Sequence, residues 1–256
     1  MIKILKCGNR LNQANPSGSR SSGKMPAARF LLSLLLLMFA LPPTFGQSKR
    51  SAREEGQFDI FVGGKEIGRE RFSIVSTADS VSSNSTVNFR EPGNKQKSVR
   101  METRLDMDGQ YVPKAYRLES NVDGQKGTIT GEFLPGEAVF EYQGSGNPRK
   151  RGLPVGDHYI VLDTNVFHHF TFVARLFDFS AGKSQSIEAV IPQELDEGTL
   201  KVSEIGVEEI TVKGKKLLLH HLKVDSGLLQ IDLWIDDLRV LYKIALPVKQ
   251  IEVVRD

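Results

Sequence analysis

The residues of this 256-residue chain with the means to do chemistry are five histidines, scattered serines and several doubled carboxylates. Their spacing decides what they can do. His168-His169 falls in a segment of helical period, where adjacent side chains point about 100° apart. His220-His221 falls in a strand pattern, where neighbours face opposite sides of the sheet. Neither pair, with or without His158, gives an HExxH or HxH spacing, so no metal site and no cofactor is expected. No GxSxG elbow is present. Asp196-Glu197, Glu208-Glu209 and Asp236-Asp237 fall in turns or at strand ends, where acids are normally solvated. Gly63-Gly64 and Gly144-Ser145-Gly146 lack the spacing of a phosphate loop. No catalytic residue is assigned, and the chain reads as non-enzymatic.

Ligand binding has better candidates. Val166, Phe170, Val173 and Phe177 recur at three- and four-residue spacing within DTNVFHHFTFVARLFDFSAG, which predicts a helix over Asp163–Gly182. Asp163, Thr164 or Asn165 is the expected cap, and Gly182 the expected stop. Trp234 occupies the polar side of a strand whose other side is fully apolar. It therefore faces solvent, a groove, or the helix. Phe170, Val173, Phe177 and Trp234 are the expected ligand-binding residues. The Arg149-Lys150-Arg151 cluster serves either solubility or an anionic contact.

The elements that must position these residues are mostly strands. From Val99 to Asp108, Val99, Met101, Leu105 and Met107 alternate with charged residues, with Thr103 on the apolar side. That is a half-buried strand. Leu229, Ile231, Leu233 and Ile235 make another, then Val240, Tyr242, Ile244 and Leu246. Glycine-bearing turns at short intervals join antiparallel neighbours, because a parallel crossover needs a dozen or more residues. The expected fold is mainly β: a curled antiparallel sheet or partly closed barrel of about twelve strands, with one helix on the concave face. Leu105–Ser120 and Leu233–Val248 share a strand, acidic turn, strand pattern, compatible with duplication or with two ordinary hairpins.

The first 46 residues read as an address. Phe30–Leu41 is a twelve-residue run with only Ser33 polar, spanning roughly 18 Å as a helix against about 30 Å of bilayer hydrocarbon. It fits a signal peptide cleaved near Gly46, with translation starting at Met1 or Met25; an uncleaved anchor is the alternative. Six of the 34 basic residues and no acid lie in 1–46, which leaves 28 basic against 31 acidic residues beyond it. A net of −3 gives no reason to expect nucleic acid as a partner. Cys7 precedes the apolar run, so the mature chain lacks cysteine. The expected organisation is a signal peptide over 1–46, a polar leader over 47–57 and one β domain over 58–256. The mature chain is expected in the periplasm or secreted, with no membrane span.

Asp163–Phe179, Ile191-Pro192-Gln193, Leu233-Trp234-Ile235-Asp236 and Val253-Val254-Arg255 together resemble a group of exported bacterial proteins, the domains of unknown function of the 3108-like type. These are similar in outline to the half-barrel lipoprotein-localisation factors, whose curved sheet wraps an apolar groove closed by helices. Asp237-Leu238-Arg239 departs from the glycine expected in the last hairpin turn. The resemblance carries over no activity; the expected function is that of an exported protein that binds or carries an apolar ligand such as an acyl chain or lipid, or that assists cell-envelope assembly. An interaction module whose exposed sheet edge pairs with an envelope protein is the alternative, and an unrecognised hydrolase the third reading.

Overall fold

The computed structural model describes residues 51–91 and 97–256. The apolar run, the cleavage site at Gly46 and the Met25 start lie outside the described residues. The chain runs through β1 (Ala52–Val62), β2 (Lys65–Ser76), β3 (Ser80–Arg90) and β4 (Ser98–Asp108). It continues through β5 (Pro113–Val122), β6 (Gln125–Leu134), β7 (Glu137–Gln143) and β8 (Arg149–Pro154). Next come β9 (Tyr159–Val161), a 3-10 turn at Phe167–His169 and α1 (Phe170–Leu176). The last strands are β10 (Ser184–Ile191), β11 (Asp196–Val212), β12 (Lys215–Asp225), β13 (Gln230–Ile235), β14 (Leu241–Leu246) and β15 (Ile251–Arg255).

The fifteen strands of the described residues belong to one sheet, ordered β8-β7-β6-β5-β4-β3-β2-β1-β15-β14-β13-β12-β11-β10-β9. The count exceeds the expected twelve because some strands carry no period-two signal. β8 reads RKRGLP with only Leu153 buried, and β9 is three residues buried on both faces. β1 also begins at Ala52, inside the stretch expected to be a polar leader; its first residues pair with β2 from Ala52↔Ser76 onward.

The sheet has to curl, and connectivity alone shows it. β8 and β9 are the two edges, yet only residues 155–158 join them. That link reaches at most roughly 18 Å, whereas a flat fifteen-strand sheet would hold its edges roughly 67 Å apart. At the seam, the Val155 N–H donates to the Gly136 carbonyl at 3.1 Å and the Gly156 N–H to the Glu188 carboxylate at 3.2 Å. Register shifts at Ile60/Phe61, Asp106/Met107, Glu204/Gly206 and Trp234/Ile235 supply local bends.

Every neighbouring pair is antiparallel except β9 with β10. Their parallel pairing requires a crossover, and residues 162–183 provide it, carrying α1 into the concave interior. The expected helix over Asp163–Gly182 is thus much shorter. Asn165 adopts a left-handed φ of 62°, and Phe177 is already extended at ψ 118°, so helix is confined to the residues between. Neither flanking residue, Val166 or His169, caps it with its own side chain. Phe170, Thr171, Phe172, Val173 and Ala174 are all buried, the pattern of a helix enclosed on every side.

The missing turn glycine has a structural explanation. Arg239 takes the left-handed position itself, at φ 64°. Its guanidinium donates to the carbonyls of Arg175 and Phe177 at 2.6 and 2.5 Å. These carbonyls lie at the C-terminal end of α1, where four groups lack helical partners. The β13–β14 turn therefore caps the helix.

Candidate functional site

Two features of the interior have chemical content: a buried polar network that holds the helix, and a cavity beside it.

The network begins on β2, where Glu70 follows the inward alternation of Phe72 and Ile74 and is fully buried. Its Oε2 accepts the backbone N–H groups of Phe167 and His168 at 2.8 and 3.0 Å. A carboxylate is at home against the free N–H groups of a helical start. Its Oε1 lies 2.6 Å from His168 Nδ1, and His168 Nε2 lies 2.5 Å from Ser83 Oγ. With Glu70 as acceptor, Nδ1 carries the proton and Nε2 accepts from the Ser83 hydroxyl. The connectivity is acid, base, nucleophile. All three side chains have zero exposure, however, and none of them lines the cavity described below. As arranged, the relay fixes the helix to the wall of the sheet.

The loop before the helix is held by a second carboxylate. Asp163 Oδ2 accepts the Tyr116 hydroxyl at 2.5 Å, while Oδ1 accepts the N–H groups of Thr164 and Gln193 at 2.8 and 2.9 Å. Burial pushes the Asp163 carboxyl up to about 6, against the lowering effect of these bonds. Burial and the neighbouring carboxylate push the Tyr116 hydroxyl well above its ordinary value. His169 accepts the Asp163 N–H at Nδ1, 3.2 Å away, and burial holds its pKa well below the ordinary 6.5.

The Gln193 bond matters because residues 192–195 cover a cavity. Its volume is about 470 Å³. The inner faces of β4 to β7 form its walls through Val99, Met101, Leu118, Val122, Ile129 and Tyr142. Pro192, Gln193, Glu194 and Leu195 complete the lining on the other side. Ser120, Lys97 and Arg149 add polar atoms; the Arg149 guanidinium lies 5.3 Å over the Tyr142 ring and Lys97 pairs with Glu91 at 2.9 Å. Gly127, inward on β6, keeps this part of the wall low: a Cβ there would meet Ser120 Oγ at 3.1 Å and Tyr142 OH at 3.3 Å. Asn165 also lines the cavity, buried to 1% exposure, and neither its Oδ1 nor its Nδ2 has a protein partner.

The structure distributes the sequence-based candidates elsewhere. Phe170, Val173 and Phe177 are buried at 1%, 0% and 0% exposure, packed in the core, and none lines this cavity. Trp234 lies on the outer face, stacked on His221 at 4.7 Å between ring centres, with its Nε1–H donated to Glu208 and Lys243 5.3 Å over the ring. His221 pairs with Asp232 on that face, whereas His220 follows the opposite alternation, lying against the Phe179 ring at 4.6 Å and pairing with Asp237 at 3.0 Å. Among the described residues no group of three or more His, Cys, Asp or Glu is placed to hold a metal ion, and no helix is long and apolar enough to cross a membrane. Glu70 was legible in principle, as an acid in register with apolar neighbours on a strand. The cavity wall was half legible, since Val99 and Met101 were read as inward. Asn165 offered no signal beyond a capping residue.

No family model matches the chain, and no curated protein matches it. Among solved structures it is similar to a β-barrel-like protein of the domain of unknown function DUF1849 from Brucella abortus. The likeness has a TM-score of 0.54 at 11% identity and covers 80% of this chain and 94% of that one. It speaks for a β-barrel-like fold of unknown function and not for the 3108-like type in particular. The chain is thus a mainly β protein whose curled sheet is of the β-barrel-like kind.

Proposed function

We propose that the protein is an exported, non-enzymatic binder of a small apolar ligand, an acyl chain or comparable lipid fragment, held between the inner faces of β4 to β7 and the 192–195 segment. One observation carries this reading: a cavity of about 470 Å³ whose walls on β4 to β6 are mainly aliphatic, beside the packed core. Ligand sites fall at roughly 300–1,000 Å³ and combine apolar walls with a few polar groups. The resemblance to 3108-like exported proteins, similar in outline to half-barrel lipoprotein-localisation factors whose sheet wraps an apolar groove, supports the same reading, and the apolar run that precedes Gly46 supports export. A role in envelope assembly, in the periplasm or outside the cell, is its cellular form. Pairing of an envelope protein with a sheet edge is the weaker alternative, because the β8 edge is six residues long and carries Arg149, Lys150 and Arg151, features that oppose strand addition.

Native mass spectrometry of the purified protein tests the reading. A co-purifying small molecule is expected on the parent and is expected to be lost from Ile129→Phe, which fills the cavity from β6. A bare parent mass, together with no saturable binding of a fluorescent fatty acid, would overturn it.

A further inference from the structure

We infer that the outer face of β2 to β4 carries a second site, independent of the interior cavity, which binds an anion bearing two phosphate groups. Strand register sets its place. Arg69 and Arg71 on β2, Thr86, Asn88 and Arg90 on β3, and Arg100 on β4 share that face. Asn88 stands opposite both Arg69 and Arg100, and Thr86 opposite Arg71. Four guanidinium groups thus surround two neutral polar side chains, and these residues line a concavity of about 760 Å³. All four arginines are exposed, so a ligand in solution can reach them.

The charge left over points to the ligand. Elsewhere on the outer face an arginine is followed two residues on by its own acid, in Arg53–Glu55, Arg100–Glu102, Arg104–Asp106 and Arg117–Glu119. Arg69 is followed by Arg71 instead, and pairs with Glu66 at 3.0 Å. Arg71 donates its Nε–H to a neutral acceptor, Gln57 Oε1, at 2.9 Å. Neither Arg71 nor Arg90 has a carboxylate partner among the described residues. Their backbone positions lie roughly 14 Å apart, four residues along β3 and one strand across, with Asn88 between them. Two linked phosphates, one toward each guanidinium, suit that span better than one. A carboxylate offers two oxygens in one plane, the match for a single guanidinium fork. A terminal phosphate offers three oxygens pointing apart, so it takes donors from more than one strand.

Calorimetric titration of the purified protein with inorganic pyrophosphate, orthophosphate, citrate and geranyl diphosphate tests the assignment. Saturable binding of pyrophosphate is expected, at least about tenfold tighter than that of orthophosphate, which fills one end of the site, or of citrate, whose charge is on carboxylates. Arg71→Gln and Arg90→Gln should each weaken it at least about tenfold, as loss of a charge-assisted hydrogen bond does. Arg117→Gln is the control. It lies on the same face but roughly 17 Å from Asn88, beyond a Debye length of about 10 Å, and should leave the affinity within about twofold. Citrate or orthophosphate binding as tightly as pyrophosphate would overturn the site, as would equal losses in Arg117→Gln and Arg71→Gln, since each marks a diffuse charge effect. Absence of saturable pyrophosphate binding would overturn it outright. Should a variant not fold, the ranking of the anions by the parent decides the matter. Geranyl diphosphate separates the sources of a diphosphate that binds: tighter binding than pyrophosphate, with Ile67 lining the same concavity, supports a lipid-borne group, and equal or weaker binding supports a soluble one.

Discussion

A carboxylate at zero exposure needs donors, and Glu70 has three: two backbone N–H groups and His168 Nδ1. Removing it strands all three. Glu70→Ala is therefore expected to cost about 3–5 kcal/mol in denaturant unfolding, whereas Ser83→Ala, which strands only His168 Nε2, should cost about 1–3 kcal/mol. A fluorophosphonate should leave Ser83 unlabelled in the folded protein; stoichiometric labelling would show that the relay reaches solvent and works as a nucleophile. Titration offers a second check at this scale. The Asp163 carboxyl is raised from 3.8 to about 6 in the folded state, so its contribution to stability is full below 3.8 and is lost as pH rises to about 6. His169 runs the other way. Its folded pKa is depressed, so stability falls as pH drops below 6.5. The stability of the parent relative to Asp163→Asn should consequently grow by up to about 3 kcal/mol as pH falls from about 6 to 4. Thermal or denaturant unfolding across that range measures it, and a constant difference would mean that Asp163 titrates normally.

Among the elements, β4 makes the plainest case for register. Its residues alternate between exposed and buried from Ser98 onward, with Val99 inward on the cavity wall and Arg100 outward beside Glu102. Val99→Asp should destabilise by several kcal/mol and Arg100→Asp by no more than about 0.5, read as shifts in unfolding midpoint. Equal shifts would place β4 in the wrong register. The helix makes a different case. If the left-handed backbone alone mattered at Arg239, Arg239→Gly would stabilise; because its guanidinium holds two helix-end carbonyls, the substitution should instead cost about 2 kcal/mol. The antiparallel meander was legible in the sequence because alternation and short turns are local signals, Val99–Asp108 above all. The extent of the helix was not. Apolar spacing continues through Phe177, but Asn165 and Phe177 leave helical geometry under constraints set by Asp163, Gln193 and Arg239, two of them contributed by distant segments. The candidate site shared that fate. Trp234 was rightly placed on the polar side of its strand, yet which space that side faced depended on the curl of the whole sheet.

At the scale of the molecule, one arrangement explains both the closure and the cavity. The described residues enter the sheet in its middle at β1, travel outward to the β8 edge, cross four residues to the β9 edge, and return through β15 to pair with β1. Joining the edges so tightly encloses a space that fifteen strands cannot fill with their own side chains alone, and the crossover between β9 and β10 delivers α1 into it. The aromatic residues of α1 pack solidly, so Phe170→Ala and Phe177→Ala should each cost about 3–5 kcal/mol without altering ligand affinity. The space left over lies toward β4 to β7, beneath the 192–195 segment, and the central claim is that a ligand occupies it. Methionine methyl NMR addresses that claim directly. Beyond residue 46 the chain has only Met101 and Met107, both inward on β4, and of the two only Met101 lines the cavity. Titration with decanamide or decanoate is expected to shift the Met101 methyl saturably while the Met107 methyl stays in place. A Met101 signal indifferent to both compounds, or one that moves only together with Met107, would contradict the account.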